Sequence, residues 1–146
     1  IQKIKNSTGL FANIKNIDIN TNFHNNRNVI VFADKEQLSR VFINLLKNAI
    51  QSIPDDIQGK IEIDLMTNKD KAYVKIKDNG KGIAGELKDK LFMPNFTTKT
   101  SGMGLGLAIV KNIVESCNGK IDFNTELGKG TTFNIELPIY KEEKTT

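Results

Sequence analysis

The sequence predicts one α+β domain, and three observations support this expectation. The chain has 146 residues, of which 38% are hydrophobic, enough for a single core and short for two. Several short segments alternate apolar and polar residues, which is typical of half-buried strands. Between them, longer segments place apolar residues three and four positions apart, as an amphipathic helix does.

The first predicted elements follow a polar lead-in at 1–16. Residues 17–23 alternate as a strand does, and Val29 to Phe32 are predicted to form a second short strand. Asp34 is placed to cap a long helix, with Gln37 three positions later as in a capping box. The apolar residues of this helix form one continuous stripe, Leu38, Val41, Phe42, Leu45, Leu46, Ala49, Ile50 and Ile53.

A hairpin is predicted next, in which residues 61–65 and 72–76 alternate around a turn at 67–70. Continuing this alternation turns the side chain of Asp78 inward at the end of its strand. A glycine-rich turn at 79–82 then ends the hairpin.

The last part of the chain is predicted to contain two helices and two strands. A short helix at 86–91 precedes an irregular polar segment at 93–101, which we expect to act as a lid. A longer helix begins after Gly102 and ends at Asn118-Gly119. Its expected buried residues are Ile109, Val110, Ile113, Val114 and Cys117. The closing strands and a disordered tail are placed at 120–124, 131–138 and 141–146.

Composition limits what the domain can do. The formal net charge of +4 is spread along the chain without a basic block with interleaved aromatics, so nucleic acid is not expected as a partner. Cys117 is the single cysteine, and no Cys/His cluster has metal-site spacing, so a cytoplasmic protein is expected. No run approaches the roughly 20 apolar residues of a membrane span, so direct membrane contact is not expected either. The start at Ile1 suggests a piece of a longer protein.

Asn44 and Asn48 lie four positions apart along the polar margin of the first long helix. Asparagine is a mediocre helix former, and its amide oxygen is a suitable hard ligand for magnesium. Two asparagines can also simply solvate a helix, so the pair alone does not establish a site.

Asp78 would bring a carboxylate to the core-facing side of a strand end. Burying this charge is costly unless hydrogen bonds are donated to it, and the exocyclic amine of adenine is a suitable donor. Gly80 and Gly82 would let the backbone pass close to a flat base. The alternative is a plain Asp-Asn-Gly turn, which is a common turn sequence.

Three alternate glycines, Gly102, Gly104 and Gly106, open the longer C-terminal helix. Backbone N–H groups at the positive end of a helix suit phosphates. The spacing differs from that of the P-loop and of the dinucleotide fingerprint, which disfavours both of those folds. The glycines alone support phosphate binding and a conformational role about equally.

Five sequence elements, spread over about residues 30 to 138, occur in an order that resembles the boxes of histidine kinases. They are Asn44-x-x-x-Asn48, Asp78 to Gly82, Phe92 to Phe96, Gly102 to Gly106, and Gly128-Lys129-Gly130-Thr131. Five elements in the right order rarely coincide. The chain therefore resembles the ATP-binding catalytic domain of a sensor histidine kinase.

This resemblance implies the Bergerat fold, a two-layer α/β sandwich whose mixed sheet of about five strands is covered on one face by about three helices. It implies a catalytic domain at 17–140, preceded at 1–16 by the remnant of a linker from a dimerisation domain. ATP and Mg²⁺ are the implied cofactors. The implied partners are the histidine-bearing dimerisation domain of the same protein and a response-regulator receiver domain. The isolated domain is expected to be monomeric and its parent protein a homodimer.

The resemblance also assigns roles by position. Asn44, Asn48 and Lys99 are expected to be catalytic, and Asn48 is expected to hold magnesium. Asp78 would read adenine, and Thr131 would frame the adenine end of the pocket. The full set expected to bind the nucleotide is Asn44, Asn48, Asp78, Gly80, Gly82, Ile83, Phe96, Lys99, Ser101, Gly102, Gly104, Leu105, Gly106 and Thr131.

Asn44 also bears on the reaction, because the related gyrase-like, mismatch-repair and chaperone ATPases carry Glu at this position. A neutral amide cannot act as a general base at ordinary pH. A histidine acceptor needs no general base, since neutral imidazole is already nucleophilic near its pKa of about 6.5. The expected reaction is transfer of the γ-phosphoryl group to a histidine, and then to a response-regulator aspartate. The alternatives are a regulatory nucleotide-binding module without transfer and a gyrase-type ATPase.

Some positions depart from the family pattern. Gln51 and Ser52 replace a basic and an aromatic residue, which puts phosphate contacts from that side in doubt. Asn95 replaces an aromatic residue before Phe96. His24, the single histidine, does not lie on a helix with an acidic neighbour, so the acceptor histidine is expected outside this sequence.

Overall fold

The computed structural model describes residues 16–24, 28–94 and 106–141. Predictions for the lead-in at 1–15, for most of the lid at 95–101 and for the tail at 142–146 lie outside the described residues. Within the described ranges, no helix combines the length and the apolar character needed to cross a membrane.

The described strands form one mixed sheet of five strands, in agreement with the predicted fold class. In chain order they are β1 (Ile17–Asn22), β2 (Gly59–Asn68), β3 (Lys71–Asp78), β4 (Lys120–Glu126) and β5 (Gly130–Pro138). Their spatial order is β1-β2-β3-β5-β4. The β1–β2 pair is parallel, and the other neighbours are antiparallel. The hairpins β2–β3 and β4–β5 are both those predicted from the alternating residues.

Two α-helices and one 3-10 helix accompany the sheet in the described residues. They are α1 (Lys35–Ser52), the 3-10 helix Gly85–Lys90 and α2 (Gly106–Ser116). The Asp34 carboxylate caps α1 as predicted, since its Oδ1 accepts from the backbone N–H groups of Glu36 at 2.9 Å and Gln37 at 3.0 Å. At the end of α2, Asn118 adopts a left-handed φ of 60° and Gly119 N–H donates to Val114 O at 3.0 Å, which ends the helix where predicted.

The core lies between the helices and one face of the sheet. Period-2 alternation turns the apolar residues of β2, β3 and β5 toward α1 and α2, and those helices also pack against each other. The largest fully buried side chains are Val41, Leu45, Leu46, Ile53, Ile61, Ile63, Ile76, Val110, Val114 and Ile135. This arrangement is the predicted two-layer architecture. Ile109 and Cys117 are partly buried at the margin of this core.

The predicted strand at Val29–Phe32 is wrong, because no strand is formed there. The alternation is present, since Val31 packs against the core while Ile30 is 60% exposed and Phe32 is 83% exposed, but the segment does not pair with any of the described strands of the sheet. The segment is tied to the end of the chain by Tyr140 N–H, which donates to Ile30 O at 2.7 Å. The Phe32 and Tyr140 rings also pack together with their centroids 6.1 Å apart. Alternation alone therefore does not distinguish an extended surface segment from a strand.

Candidate nucleotide site

Asp78 lies at the end of β3 and is 4% exposed, as the alternation of that strand predicts. Its Oδ1 accepts from Gly80 N–H at 2.8 Å, and the Ser52 hydroxyl oxygen lies 3.2 Å away. The backbone N–H of Thr131 also donates to this carboxylate. Burial raises the pKa of Asp78, and the three hydrogen bonds oppose that rise. The result is an oriented hydrogen-bond acceptor sheltered from bulk water.

The glycine-rich loop after Asp78 lies directly against the end of α1. Lys81 N–H donates to Ser52 O at 2.9 Å. A Cβ on Gly80 would overlap the Ser52 hydroxyl and its carbonyl group. Gly80 is therefore required by this close approach, whatever else the loop binds.

The other side of the same loop contacts the β4–β5 turn. Gly82 has a φ of +72°, and a Cβ on it would overlap the carbonyl oxygen of Glu126. Gly128 N–H donates to Lys81 O at 2.7 Å, and Ile83 N–H donates to Thr125 Oγ1 at 3.0 Å. The loop is thus fixed between α1 and the β4–β5 hairpin.

Asn79 belongs to the same motif, but its side chain binds the backbone at the start of β2. Its Oδ1 accepts from Lys60 N–H at 2.8 Å, and its Nδ2 donates to Gln58 O at 3.0 Å. Its own N–H donates to Lys60 O at 3.2 Å. Asn79 therefore anchors the loop to the start of β2.

Thr131 is a residue of β5, lies beside Asp78 and is 5% exposed. Its hydroxyl oxygen lies 2.9 Å from that of Thr125, which in turn donates to Gly130 O at 3.1 Å. A hydroxyl has one hydrogen, so when Thr125 donates to Gly130 O it accepts the hydrogen of Thr131. In either direction of this hydrogen bond, the Thr131 oxygen keeps at least one lone pair and can act as an acceptor.

The Asn44–Asn48 pair lies half-buried on α1, which packs against β3. Asn48 is four residues before Ser52, and positions four apart lie on the same side of a helix, about one turn of 5.4 Å along its axis. Since Ser52 contacts Asp78, the structure brings the amide pair to the same side of the fold as the buried carboxylate.

Phe92, the first residue of the predicted Phe92 to Phe96 element, is fixed by aromatic contacts. Its ring packs edge-on against Phe123 of β4, with centroids 5.7 Å apart. Lys111 Nζ of α2 lies 5.6 Å from the centroid of the Phe92 ring. The residue just before the predicted lid is thereby attached to both the sheet and α2.

Six of the predicted site residues lie between the described ranges 28–94 and 106–141. Those outside the described residues are Phe96, Lys99, Ser101, Gly102, Gly104 and Leu105. Gly106 is the first residue of α2, and Ile83 packs against the margin of the core.

Ser52 and Thr125 were not predicted as site residues. Ser52 stood out in the sequence as a departure from the family pattern, and its position four residues after Asn48 was the available signal. Thr125 is the direct cross-strand partner of Thr131, a relationship that depends on the β4–β5 register.

Comparisons with known proteins identify the family of this chain. Residues 33–141 match the family described as histidine kinase-, DNA gyrase B-, and HSP90-like ATPase. The chain is 35% identical over 128 residues to sporulation kinase D of Bacillus subtilis strain 168, a match covering 88% of this chain and 25% of that protein. It is 43% identical over 107 residues to sensor histidine kinase ZraS of Escherichia coli strain K12, covering 73% of this chain and 23% of that protein. The chain thus spans about a quarter of the length of these curated relatives.

Solved structures show the same similarity. A nucleotide-free catalytic domain of histidine kinase ThkA superposes with a TM-score of 0.83 at 35% identity, covering 94% of this chain and 88% of that one. Histidine kinase ThkA in complex with the response regulator protein TrrA superposes with a TM-score of 0.77 at 32% identity, covering 94% of this chain and 38% of that one. The chain therefore belongs to the family of histidine kinase-, DNA gyrase B- and HSP90-like ATPases, and within it to the ATP-binding catalytic domains of histidine kinases.

Proposed function

We propose that this domain binds Mg-ATP and transfers the γ-phosphoryl group to a histidine on the dimerisation domain of its parent protein. That phosphoryl group would then pass to an aspartate of a response regulator. The observation that carries the proposal is the Asp78 carboxylate, which is 4% exposed and held by donors from α1, β5 and the glycine-rich loop. A sheltered, oriented acceptor of this kind suits the exocyclic amine of adenine.

The adenine end of the site would be formed around Asp78. The Thr131 oxygen can accept a hydrogen bond from the base or from a bridging water, because its contact with Thr125 leaves it at least one lone pair. Gly80 and Gly82 let the loop approach Ser52 and Glu126 closely, which holds the loop beside Asp78, and Ile83 supplies an apolar side chain at the end of the loop. The acceptors on Asp78 and Thr131 favour a base with a donor group.

Asn48 is proposed to hold Mg²⁺ through its amide oxygen. Magnesium prefers hard oxygen ligands and usually binds one or two protein oxygens together with substrate phosphates. The position of Asn48 fits this role, since it lies one helical turn from the residue that contacts Asp78. Asn44 would support the metal or a phosphate one turn further along α1. Lys99 and the glycines from Gly102 to Gly106 stay predictions for the phosphate contacts.

Asn44 favours histidine as the acceptor over water, because its neutral amide cannot remove a proton at ordinary pH. His24 is unsuited to be that acceptor. Its Nε2 lies 3.8 Å from Asp64 Oδ1. Period-2 alternation places Asp64 on the sheet face opposite the buried side chains of Ile63 and Asp78. The acceptor is therefore proposed to lie on the dimerisation domain.

The proposed partners follow from the relatives. ThkA was solved in complex with the response regulator protein TrrA, which supports a response regulator as the final acceptor here. We further propose that residues 17–140 form the catalytic domain, that it is monomeric in isolation, and that its parent is a homodimer. Because ATP is the phosphoryl donor, we expect the domain to work in the cytoplasm.

The proposal is tested by incubating this chain with γ-labelled ATP, Mg²⁺ and its separately produced histidine-bearing domain. Acid-labile label on that domain is the expected result, because phosphohistidine is a phosphoramidate. Tight ATP binding without transfer would instead indicate a regulatory nucleotide-binding module. Release of labelled phosphate at the same rate with and without the histidine domain would indicate an ATPase.

A further inference from the structure

Ser52, the last residue of α1, makes two contacts with the segment that begins at Asp78. Its hydroxyl oxygen lies 3.2 Å from Asp78 Oδ1, and its carbonyl oxygen accepts from Lys81 N–H at 2.9 Å. The space beside Gly80 is filled by the same hydroxyl, since a Cβ on Gly80 would overlap it. Ser52 therefore joins the helix of Asn44 and Asn48 to the buried carboxylate.

The Ser52 hydroxyl has one hydrogen and two acceptors within reach. Besides Asp78 Oδ1, Ala49 O lies 2.8 Å from the Ser52 oxygen. The chain leaves the helix here, and Ile53 N–H donates to Ile50 O at 3.3 Å. The hydroxyl thus has two possible tasks, which are to cap the end of the helix and to donate to Asp78.

We propose that Ser52 is a positioning residue that makes Asp78 selective for nucleotides with an exocyclic amine. This inference rests on the proposed function, in which Asp78 reads adenine. Gly80 N–H and the Ser52 hydroxyl both act on Oδ1, and together with Thr131 N–H they fix the plane of the carboxylate. They also stabilise its ionised form against the cost of burial. An ionised carboxylate only accepts hydrogen bonds, whereas a protonated one presents a hydrogen toward the amine of the base.

Removing the Ser52 hydroxyl should therefore weaken recognition of the amine specifically. Without it, the Asp78 carboxylate loses one hydrogen-bond donor and can tilt. The affinity for a nucleotide that donates to this carboxylate should therefore fall. A nucleotide without the amine makes no such contact, and its affinity should change little. A residue that only caps the helix would affect both nucleotides alike, through the stability of the fold.

The chain contains a matched control for the helix-end contact. Ser116, the last residue of α2, donates from its hydroxyl to Ile113 O at 2.6 Å, three residues back, and Ala49 O lies at the same spacing from the Ser52 hydroxyl. Ser116 has no role in the proposed adenine contacts. Ser116→Ala therefore reports what a helix-end hydroxyl contributes by itself.

The experiment measures the affinities of ATP and of purine riboside triphosphate, which lacks the 6-amino group, by calorimetry with Mg²⁺ present. Ser52→Ala should lower the affinity for ATP by about fivefold and change that for the analogue by less than about twofold, since one hydrogen bond to a charged group is lost. Ser52→Thr keeps the hydroxyl and should therefore retain the wild-type preference for ATP over the analogue. Ser116→Ala should leave both affinities unchanged. Ser52→Cys keeps the size of the side chain with a much weaker donor, so it should behave like Ser52→Ala even if the alanine variant folds poorly.

Two results would overturn the inference about Ser52. One is an equal loss of affinity for both nucleotides in Ser52→Ala and Ser52→Cys, and the other is wild-type discrimination in both variants. A different result would overturn the proposed Asp78 contact itself, namely wild-type protein that binds the analogue as tightly as ATP.

Discussion

The hydroxyl oxygens of Thr125 and Thr131 lie 2.9 Å apart as a direct cross-strand pair of β4 and β5. The same Thr125 oxygen accepts from Ile83 N–H at 3.0 Å and donates to Gly130 O at 3.1 Å. One side chain on β4 thereby connects the glycine-rich loop to the strand that carries Thr131. It also holds the Thr131 hydroxyl in place by a direct hydrogen bond.

Thr125→Val tests this connection. The variant keeps the shape of the side chain but leaves Ile83 N–H and the Thr131 hydroxyl without their partner. We expect a loss of roughly 1 to 3 kcal/mol in the free energy of unfolding, measured by urea denaturation, because partly buried polar groups lose hydrogen bonds. Thr125→Ser retains the hydroxyl and should recover most of this loss. Equal stability of the valine and serine variants would show that the hydroxyl network does not stabilise the site.

The sequence predicted the parts of the site that depend on local patterns. Asp78 is buried because the alternation of β3 continues to its last residue, and Asp34 caps α1 because the cap and its N–H donors are neighbours in sequence. Thr125 and Ser52 depend on a strand register and on the packing of a helix end against a distant loop, which no local pattern encodes. Asn79 shows the reverse case, since it belongs to the nucleotide motif while its side chain binds the backbone of β2.

Asn79→Ala separates the anchoring of the loop from recognition of the base. Asn79 bridges Lys60 N–H and Gln58 O, so its removal should lower the free energy of unfolding by about 1 to 2 kcal/mol. Its effect on ATP affinity should stay within about threefold, because Gly80, Ser52 and Thr131 still hold Asp78. Asp78→Ala is the comparison, and it should abolish measurable ATP binding. If Asn79→Ala abolished ATP binding without a change in stability, the Asn79 side chain would have to contact the nucleotide directly.

Gly130→Ala and Gly128→Ala form a matched pair in one turn. Both glycines have a positive φ, +136° for Gly130 and +82° for Gly128. A Cβ on Gly130 would overlap the carbonyl oxygen of Asp78, whereas a Cβ on Gly128 would meet nothing within 4 Å. We expect Gly128→Ala to cost about 1 kcal/mol for the backbone conformation alone, and Gly130→Ala to cost roughly 2 to 4 kcal/mol. Urea denaturation of the two variants measures the difference, and equal costs would show that Asp78 does not approach β5 as closely as described.

Asp78→Asn should change how stability depends on pH. Burial raises the pKa of Asp78 above its ordinary value of 3.8, so between that value and the raised pKa the folded state holds a proton that the unfolded state has released. Wild-type stability relative to Asp78→Asn should therefore fall as the pH rises from about 3.8 through the raised pKa, and stay constant above it. The altered hydrogen bonds of the amide add a constant, pH-independent amount to the difference in the free energy of unfolding between the two proteins. Thermal melts of both proteins across this range measure the difference, and a difference that grows with pH would mean that the hydrogen bonds from Gly80, Ser52 and Thr131 outweigh the cost of burial.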